Sequence, residues 1–243
     1  MIEVLNKTNL SNSEEILKLI QNRLDFGLKL QINYLSFHHI INRVWSDKLN
    51  NIFLSTDFIL GDGIGITFAK RILLNDSSHK LIEPGTDIFY SILRFAELNK
   101  WKIFFLGGES RLVEQLKISV KSKYPNLSET KSENGYFDKN ESIIKIINDF
   151  APQILFVGMG VPKQEVWVDK NKNYLNVPII ITCGGLFKFL AGVTNRAPNW
   201  IRNLGLEWLH RMFTDLPYFW KRYIFGIPLF LFLIAKSYFV KNK

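Results

Sequence analysis

Asp62 is the residue best placed for acid–base chemistry, because it stands between Gly61 and Gly63 at the end of an apolar run. A carboxylate in such a turn acts as a general base when a substrate hydroxyl comes within hydrogen-bond reach. The same residue type also forms Asx turns and caps helix N-termini. The residues alone leave the catalytic and the structural interpretation open.

A second candidate group lies in the segment 158–167. Pro162 suits the first turn of a helix, which places Lys163, Gln164 and Glu165 at the helix N-terminus. Glu165 complements the helix dipole there, whereas Lys163 adds a cation to the positive end. A lysine in this position indicates a bound phosphate or carboxylate.

Basic side chains after residue 195 form a third group, since a guanidinium matches phosphate oxygens with a fork of donors. For a single arginine, solvation at the surface is the simpler explanation. The candidates are Arg196, Arg202, Arg211, Lys221 and Arg222.

Several kinds of site are excluded by what the sequence lacks. One cysteine, Cys183, excludes an internal disulfide and a cysteine-rich metal site. The four histidines lack metal-ligand spacing, and there is no Asp-x-Asp pair. Gly63 and Gly65 lack the third glycine of the dinucleotide fingerprint, and no Walker A lysine motif is present. We therefore expect no bound metal ion and no cofactor, and we find no signal peptide.

The net charge of +9 is concentrated near the C-terminus. From residue 188 onwards, nine basic residues stand against two acidic ones, and this stretch holds 13 of the 34 aromatic residues. A basic, aromatic segment on a nearly neutral body indicates an anionic partner or a membrane surface.

The most apolar segment is 223–240, whose uncharged run of 13 residues is shorter than the about 20 that a spanning helix needs. Lys236 interrupts it and Pro228 favours a break, so we interpret it as an interfacial or re-entrant segment. A buried core helix and a single membrane span remain alternatives. The apolar run argues against a nucleic-acid partner, which calls for basic residues and stacking aromatics in a polar groove.

The elements that must position these residues repeat one pattern, in which a short apolar run stops at glycines and a helical segment follows. Residues 102–106, 153–157 and 178–182 are runs of this type. Such units predict an α/β fold with a mainly parallel sheet and helices on both faces. Ligands bind at the carboxyl ends of such strands, so the glycines after them mark the expected site: Gly107, Gly108, Gly158, Gly160, Gly184 and Gly185. Turn formation remains the alternative for any single glycine.

Helical periodicity adds helices at residues 13–24, 66–73 and 88–99. Ser11 or Ser13 is expected to cap the first helix, and the run from Gly85 to Asp87 the last. A further apolar run, 51–60, leads into the glycines around Asp62.

Seven motifs, in order, resemble those of the WecG/TagA/CpsF glycosyltransferases. Each motif is weak alone, whereas the ordered set, which covers the chain from about residue 30 onward, is specific. The motifs are Asp62-Gly-Ile-Gly65, Gly85-Thr-Asp87, Phe105-Leu-Gly-Gly108, Gly135-Tyr-Phe137, Gly160-Val-Pro-Lys-Gln-Glu165, Arg196-Ala-Pro198 and Gly205-Leu-Glu-Trp208 through Arg211.

The resemblance implies a Rossmann-like catalytic domain, residues 1–195, and a C-terminal appendage, residues 196–243, that contacts an anionic membrane surface and completes the active site. It implies metal-independent, inverting transfer of N-acetylmannosamine or a related hexose from a UDP-sugar. The implied acceptor is a saccharide on undecaprenyl diphosphate, in the synthesis of a cell-surface polysaccharide. The resemblance also implies a peripheral location at the cytoplasmic face of a bacterial membrane. It leaves open whether the protein forms a homo-oligomer.

The resemblance also assigns roles to residues. Asp62 matches the catalytic base, Gln164 a residue of the substrate pocket, and Asn33 the asparagine of a Thr-x-Asn motif in which Gln31 replaces threonine. With the strand-end residues, the substrate-binding candidates are Gln31, Asn33, Gly63, Gly65, Gly85, Asp87, Gly107, Gly108, Gly158, Gly160, Lys163, Gln164, Glu165, Gly184, Gly185 and Arg196. Arg202, Arg211, Lys221 and Arg222 are the candidates for the acceptor diphosphate and the membrane.

The chain departs from the family pattern in ways that leave the donor sugar open. Besides Gln31, Lys80 precedes the Gly-x-Asp motif where family members often carry an arginine. Two alternatives to the implied function remain: a catalytically inactive membrane-surface binding protein of the same fold, and a transferase with a soluble acceptor.

Overall fold

The computed structural model describes residues 1–44, 46–76, 83–203, 206–214 and 224–241. Seven strands form one sheet in the order β1-β3-β2-β7-β6-β4-β5, and each neighbouring pair runs parallel. The strands are β1 (Thr8–Asn9), β2 (Leu30–Leu35), β3 (Phe58–Gly61), β4 (Ile103–Gly107), β5 (Thr130–Glu133), β6 (Ile154–Gly158) and β7 (Ile179–Thr182).

Helices cover the sheet on both faces, which confirms the predicted Rossmann-like α/β fold. They are α1 (Ile2–Lys7), α2 (Ser13–Asp25), α3 (Phe37–Val44), α4 (Asp47–Ser55), α5 (Ile64–Leu74), α6 (Gly85–Leu98), α7 (Ser110–Lys123), α8 (Asn140–Phe150), α9 (Lys163–Asn171), α10 (Leu186–Leu190), α11 (Asn199–Asn203), α12 (Glu207–Thr214) and α13 (Gly226–Lys241).

The two sheet faces have different cores, because successive strand side chains point to opposite sides. On the first face, α2, α6, α7 and α10 pack on one large cluster that includes Phe89, Phe105 and Phe156. On the second face the apolar core is divided into two clusters. One lies around α1, α3, α4, α5 and α13, and the other around α8 and α9. Buried polar side chains of β2, β7, α3 and α9 lie on the same face of the sheet.

Two expected helix caps were wrong. The run from Gly85 to Asp87 forms the first turn of α6, whose N-cap is Pro84. The apolar run 51–60 is not one element, since α4 ends at Ser55 and β3 begins at Phe58. Helix α2 is capped by neither predicted serine: Asn12 accepts a hydrogen bond from the backbone N–H of Glu15 at 3.0 Å. Ser13 is engaged elsewhere, because its N–H and its hydroxyl both donate to the distant carboxylate of Glu83.

Helix α13 joins the second face through one side only. Phe230 and Ile234 are buried, and the Phe230 ring packs edge-on against Phe37 with centroids 5.9 Å apart. The outward residues are apolar as well, with Phe232 61% and Phe239 67% exposed. Among the described residues, no helix combines the length and the apolarity that crossing a bilayer requires.

Candidate functional site

The carboxyl ends of the strands form the edge on which the predicted site residues gather. After β2 the chain enters α3 on the second face, whereas after the neighbouring β7 it enters α10 on the first face. Neighbours β4 and β6 diverge in the same way, into α7 and α9. Crevices open where adjacent connections leave on opposite faces, and ligands of α/β proteins bind there.

Asp62 follows β3 directly and is half-buried. Its backbone N–H donates to the carbonyl oxygen of Leu35 at 2.8 Å, which continues the β2–β3 pairing by one residue. Its side-chain Oδ1 accepts the N–H of Gly85, the first residue of α6, at 3.1 Å. The positive end of a helix favours a carboxylate. Asp62 therefore takes part in the capping that the sequence offered as an alternative, and its side chain is still partly open to solvent.

Close packing leaves no room for a side chain at Gly85. A Cβ atom there would lie 2.5 Å from Cε1 of Tyr34 and 3.0 Å from Oδ1 of Asp62. The Tyr34 hydroxyl donates to the carbonyl oxygen of Gly85 at 3.2 Å. Burial, with a contribution from the charge of Asp62, raises the pKa of Tyr34, so this hydroxyl keeps its proton. Tyr34 and Gly85 thus fix the position of the Asp62 carboxylate.

The glycines after β4, β6 and β7 meet at the middle of the same edge. Gly107 pairs with Gly158, and a Cβ atom on Gly107 would lie 2.4 Å from the Gly158 carbonyl carbon. A Cβ atom on Gly158 would lie 2.9 Å from the carbonyl oxygen of Gly184. Three loops therefore touch through their backbones, and packing as well as turn formation requires these glycines. The other predicted glycines lie in the same loops or beside Asp62: Gly63, Gly65, Gly108, Gly160 and Gly185.

Lys163 begins α9, as predicted, and its ammonium group has two partners within the protein. Its ammonium group donates to the carbonyl oxygen of Gly135 at 2.6 Å and lies 4.6 Å from the centroid of the Tyr136 ring. A carbonyl dipole and an aromatic face both stabilise a cation. These contacts hold the lysine in place, and its predicted contact with a bound anion remains a prediction.

Gln164 and Glu165 are buried, and they tie loops together. Gln164 Oε1 accepts the N–H of Gly184 at 3.0 Å, while its amide donates to Glu165 Oε1 at 2.7 Å. The same Glu165 oxygen lies 3.3 Å from Nε2 of His39 on α3. No sequence pattern indicated a role for His39, which is one of the four histidines that lack metal-ligand spacing.

Asn33 and Gln31 lie within β2 and are buried. Asn33 Oδ1 accepts from the Thr182 hydroxyl at 3.1 Å and from the Gln31 amide at 3.3 Å, and its amide donates to Thr56 at 2.8 Å. Asn33 is 0% exposed, so these contacts crosslink β2, β7 and the end of α4. The structure gives both residues a place inside the sheet; their predicted substrate contact remains a prediction.

The arginines Arg196 and Arg202 converge on one carboxylate at the start of α6. The two terminal guanidinium nitrogens of Arg196 contact Asp87, the second at 3.1 Å, and Arg202 approaches the same carboxylate at 3.4 Å. Glu207 lies 3.6 Å from Arg196. Burial alone would lower the pKa of Arg196, but the contacts with Asp87 and Glu207 outweigh it and raise that pKa. The two cations therefore join the C-terminal segment to the helix that holds Asp62.

Some predicted residues lie outside the described part of the chain. These are Lys80, Lys221, Arg222 and the side chain of Arg211. Among the residues that are described, no three His, Cys, Asp or Glu side chains are grouped so as to hold a metal ion.

A hollow of about 300 Å³ lies apart from Asp62, beside the end of β5 and the start of α8. It is lined by Glu133, Asn134, Phe137, Asp138, Lys139, Ser142, Ile143 and Ile146. No residue that the sequence singled out as a site candidate lines it.

Comparison with known proteins identifies the family that the chain resembles. The sequence model of the Glycosyl transferase WecG/TagA/CpsF family matches residues 2–243. Similar curated proteins are the N-acetylglucosaminyldiphosphoundecaprenol N-acetyl-beta-D-mannosaminyltransferases of Staphylococcus aureus strains NCTC 8325 / PS 47 and COL. Each is 32% identical over 209 residues, which is 85% of this chain and 76% of the relative. The enzyme of that name from strain MRSA252 matches with the same identity and coverage.

Proposed function

Because the chain belongs to the WecG/TagA/CpsF glycosyltransferase family, we propose that it transfers a sugar from a UDP-sugar to a saccharide linked to undecaprenyl diphosphate. The donor sugar is N-acetylmannosamine or a related hexose, and the product is part of a cell-surface polysaccharide. The observation that carries the proposal is the half-buried carboxylate of Asp62, held at the strand-end edge by Gly85.

The reaction is a direct displacement at the anomeric carbon of the donor. The acceptor hydroxyl oxygen forms the new bond to that carbon while Asp62 takes the hydroxyl proton. The bond from the anomeric carbon to the diphosphate oxygen breaks, UDP leaves with the electron pair, and the configuration inverts. Because one Asp62 oxygen accepts the Gly85 N–H, the carboxylate is oriented before the acceptor arrives.

The leaving diphosphate gains negative charge, which needs donors that replace a divalent ion. We propose that backbone N–H groups of the glycine loops after β4, β6 and β7 supply part of them. Arg211 and Arg222 are our first choices among the basic side chains. Arg202 and Arg196 rank lower, because both are engaged by Asp87. No metal ion or cofactor takes part in this mechanism.

We propose that residues 196–243 form an appendage that completes the site of a catalytic domain, residues 1–195, at the membrane surface. Helix α13 is mostly apolar, on its outer side as well as its inner side, and such a helix is normally buried on all sides. Its inner residue Phe230 packs beside Gly65, three residues after Asp62. An anionic bilayer at the cytoplasmic face would cover the outer face of α13 while Lys236 contacts the headgroups. Such docking brings Asp62 close to a lipid-linked acceptor.

The test is UDP release from a panel of UDP-sugars in EDTA, with and without a short-chain lipid-diphosphate GlcNAc acceptor. We expect acceptor-dependent release from one donor. Asp62→Asn keeps an oxygen for the Gly85 N–H and removes the base, so it should lose at least 100-fold in kcat, within the range of general-base contributions, about 10²–10⁴. Asp25→Asn is the control, because Asp25 lies on the surface at the end of α2, where it accepts a hydrogen bond from Gln21.

Three results would contradict the proposal. If the Asp62→Asn enzyme had a normal kcat, Asp62 would not be the general base. Lack of acceptor-dependent release from every donor, also with native lipid extract and magnesium, would favour a binding protein without catalysis. A transferase with a soluble acceptor would instead fail to sediment with anionic vesicles and would not need the lipid.

A further inference from the structure

The second face of the sheet carries a buried polar region between its two apolar clusters. Its centre is Glu165, a carboxylate with no exposed surface. Its Oε1 meets two nitrogen atoms, from Gln164 at 2.7 Å and from His39 at 3.3 Å. Its Oε2 has no hydrogen-bond partner among the described residues. A carboxylate is costly to bury, so its retention here calls for a specific reason.

The hydrogen bonds of His39 indicate which ring nitrogen accepts and which one faces Glu165. The backbone N–H of Ser36 donates to Nδ1 of His39 at 3.1 Å, so Nδ1 presents its lone pair. The ring proton therefore resides on Nε2, which points at Glu165. One side of the imidazole is thus held by the carboxylate and the other by the first residue after β2.

The backbone at the end of β2 connects His39 to Asp62. Ser36 follows Leu35, whose carbonyl oxygen accepts the Asp62 N–H at 2.8 Å. A continuous route therefore leads from Glu165 through His39 and the end of β2 to Asp62. A second branch leads from Glu165 through Gln164 to the N–H of Gly184, at 3.0 Å. One buried carboxylate joins the loops after β2, β6 and β7.

We propose that Glu165, acting through His39, is a positioning residue for Asp62: it holds the end of β2, and with it the Asp62 backbone, at the place that the transfer reaction requires. The proposal rests on the role of Asp62 proposed above. Neither Glu165 nor His39 needs to touch substrate. Misplacing a catalytic group by about 1 Å costs up to about 100-fold in rate.

The two hydrogen bonds of His39 can be removed one at a time. His39→Asn places an amide oxygen near the position of Nδ1 and keeps the acceptor for Ser36, but does not reach Glu165. His39→Gln reaches Glu165 with an amide donor and loses the acceptor for Ser36. We expect both variants to lower kcat between about 10-fold and 100-fold, with KM for the donor within twofold of the wild type.

Two further comparisons separate positioning from stability. Glu165→Gln keeps the size and one acceptor oxygen, so it should retain more of kcat than Glu165→Ala. The double variant His39→Asn/Glu165→Gln should lose no more than its worse single variant, because both changes interrupt one route. The control is Asn171→Ala on the same helix, since buried Asn171 bonds to Trp167 and to Asn140 of α8, away from Asp62. It should lower the melting temperature and leave kcat unchanged.

The proposal is overturned if the His39 and Glu165 variants resemble Asn171→Ala, with a lower melting temperature and normal kcat. It is also overturned if KM rises while kcat stays normal, or if the double variant loses the product of both single effects. Should the His39 variants not fold, the comparison of Glu165→Gln with Glu165→Ala decides, and equal kcat values for these two variants overturn the proposal. If Asp62→Asn is inactive while these variants are normal, only this inference fails. If Asp62→Asn is active, the proposed base role fails first.

Discussion

The substitution Gly85→Ala tests whether the Asp62 carboxylate is positioned by close packing. The added methyl group would lie 2.5 Å from Cε1 of Tyr34 and 3.0 Å from Oδ1 of Asp62. Carbon atoms in contact are normally about 3.5–4.0 Å apart, so the Tyr34 ring and the start of α6 must separate by about 1 Å. That movement stretches the 3.1 Å hydrogen bond between Asp62 and the Gly85 N–H.

Two magnitudes follow from this displacement. Overpacking a buried position costs about 1–3 kcal/mol of unfolding free energy. For a chain of this length, each kcal/mol corresponds to about 2–4 °C in melting temperature. A shift of about 1 Å in the base should also lower kcat by up to about 100-fold, while donor binding at the glycine loops is preserved.

Thermal melts and acceptor-dependent UDP release measure the two effects. Gly185→Ala serves as the stability control, since the same methyl group there meets no atom within 4 Å. The packing argument would be refuted if Gly85→Ala melted at the temperature of Gly185→Ala and turned over as fast as the wild type.

Three further predictions concern the C-terminal segment and the core. Asp87→Asn should destabilise the protein by about 1–3 kcal/mol in a urea melt, because it removes the carboxylate that compensates Arg196 and Arg202; an unchanged midpoint would contradict this. Replacing Phe232 and Phe239 by Asp should reduce sedimentation with anionic vesicles at unchanged melting temperature, as both side chains are exposed; undiminished vesicle binding would exclude α13 as the docking surface. Burial raises the pKa of Tyr124 to about 12, so the folded state holds this proton more tightly than the unfolded state, and stability should fall as pH rises from about 10 towards 12. Tyr124→Phe should flatten that fall, which urea melts at pH 9 and 11.5 would measure.

The strands β4, β6 and β7 could be predicted because their signal is local, whereas β1, β2 and β5 were not predicted. Runs of β-branched and aromatic residues that stop at glycines, such as those ending at Gly107 and Gly158, identify strands buried on both faces. The family match confirms the resemblance that the ordered motifs indicated. The cap of α2 was missed because Ser11, Asn12 and Ser13 are all good caps, and Glu83, distant in sequence, engages Ser13.

The roles of single polar side chains were harder to predict. Asn33 and Gln164 were chosen as substrate ligands by resemblance, and the structure shows both occupied by hydrogen bonds inside the protein. Arg196 was chosen for phosphate contact, and Asp87 neutralises it. Most of these partners, such as Thr182 for Asn33 and Asp87 for Arg196, lie far away in the sequence. A motif therefore shows the residue type and not the atom that it contacts.

The sequence by itself determined the α/β class, the family and the strand-end edge, because periodicity, glycine placement and motif order are properties of neighbouring residues. Only the tertiary structure decided that Gly85 of α6 orients Asp62 and that His39 meets Glu165 from 126 positions away. Those contacts arise when separate loops converge at the ends of parallel strands. Hydrogen bonds act over about 3 Å, so they depend on the folded arrangement and not on distance along the chain.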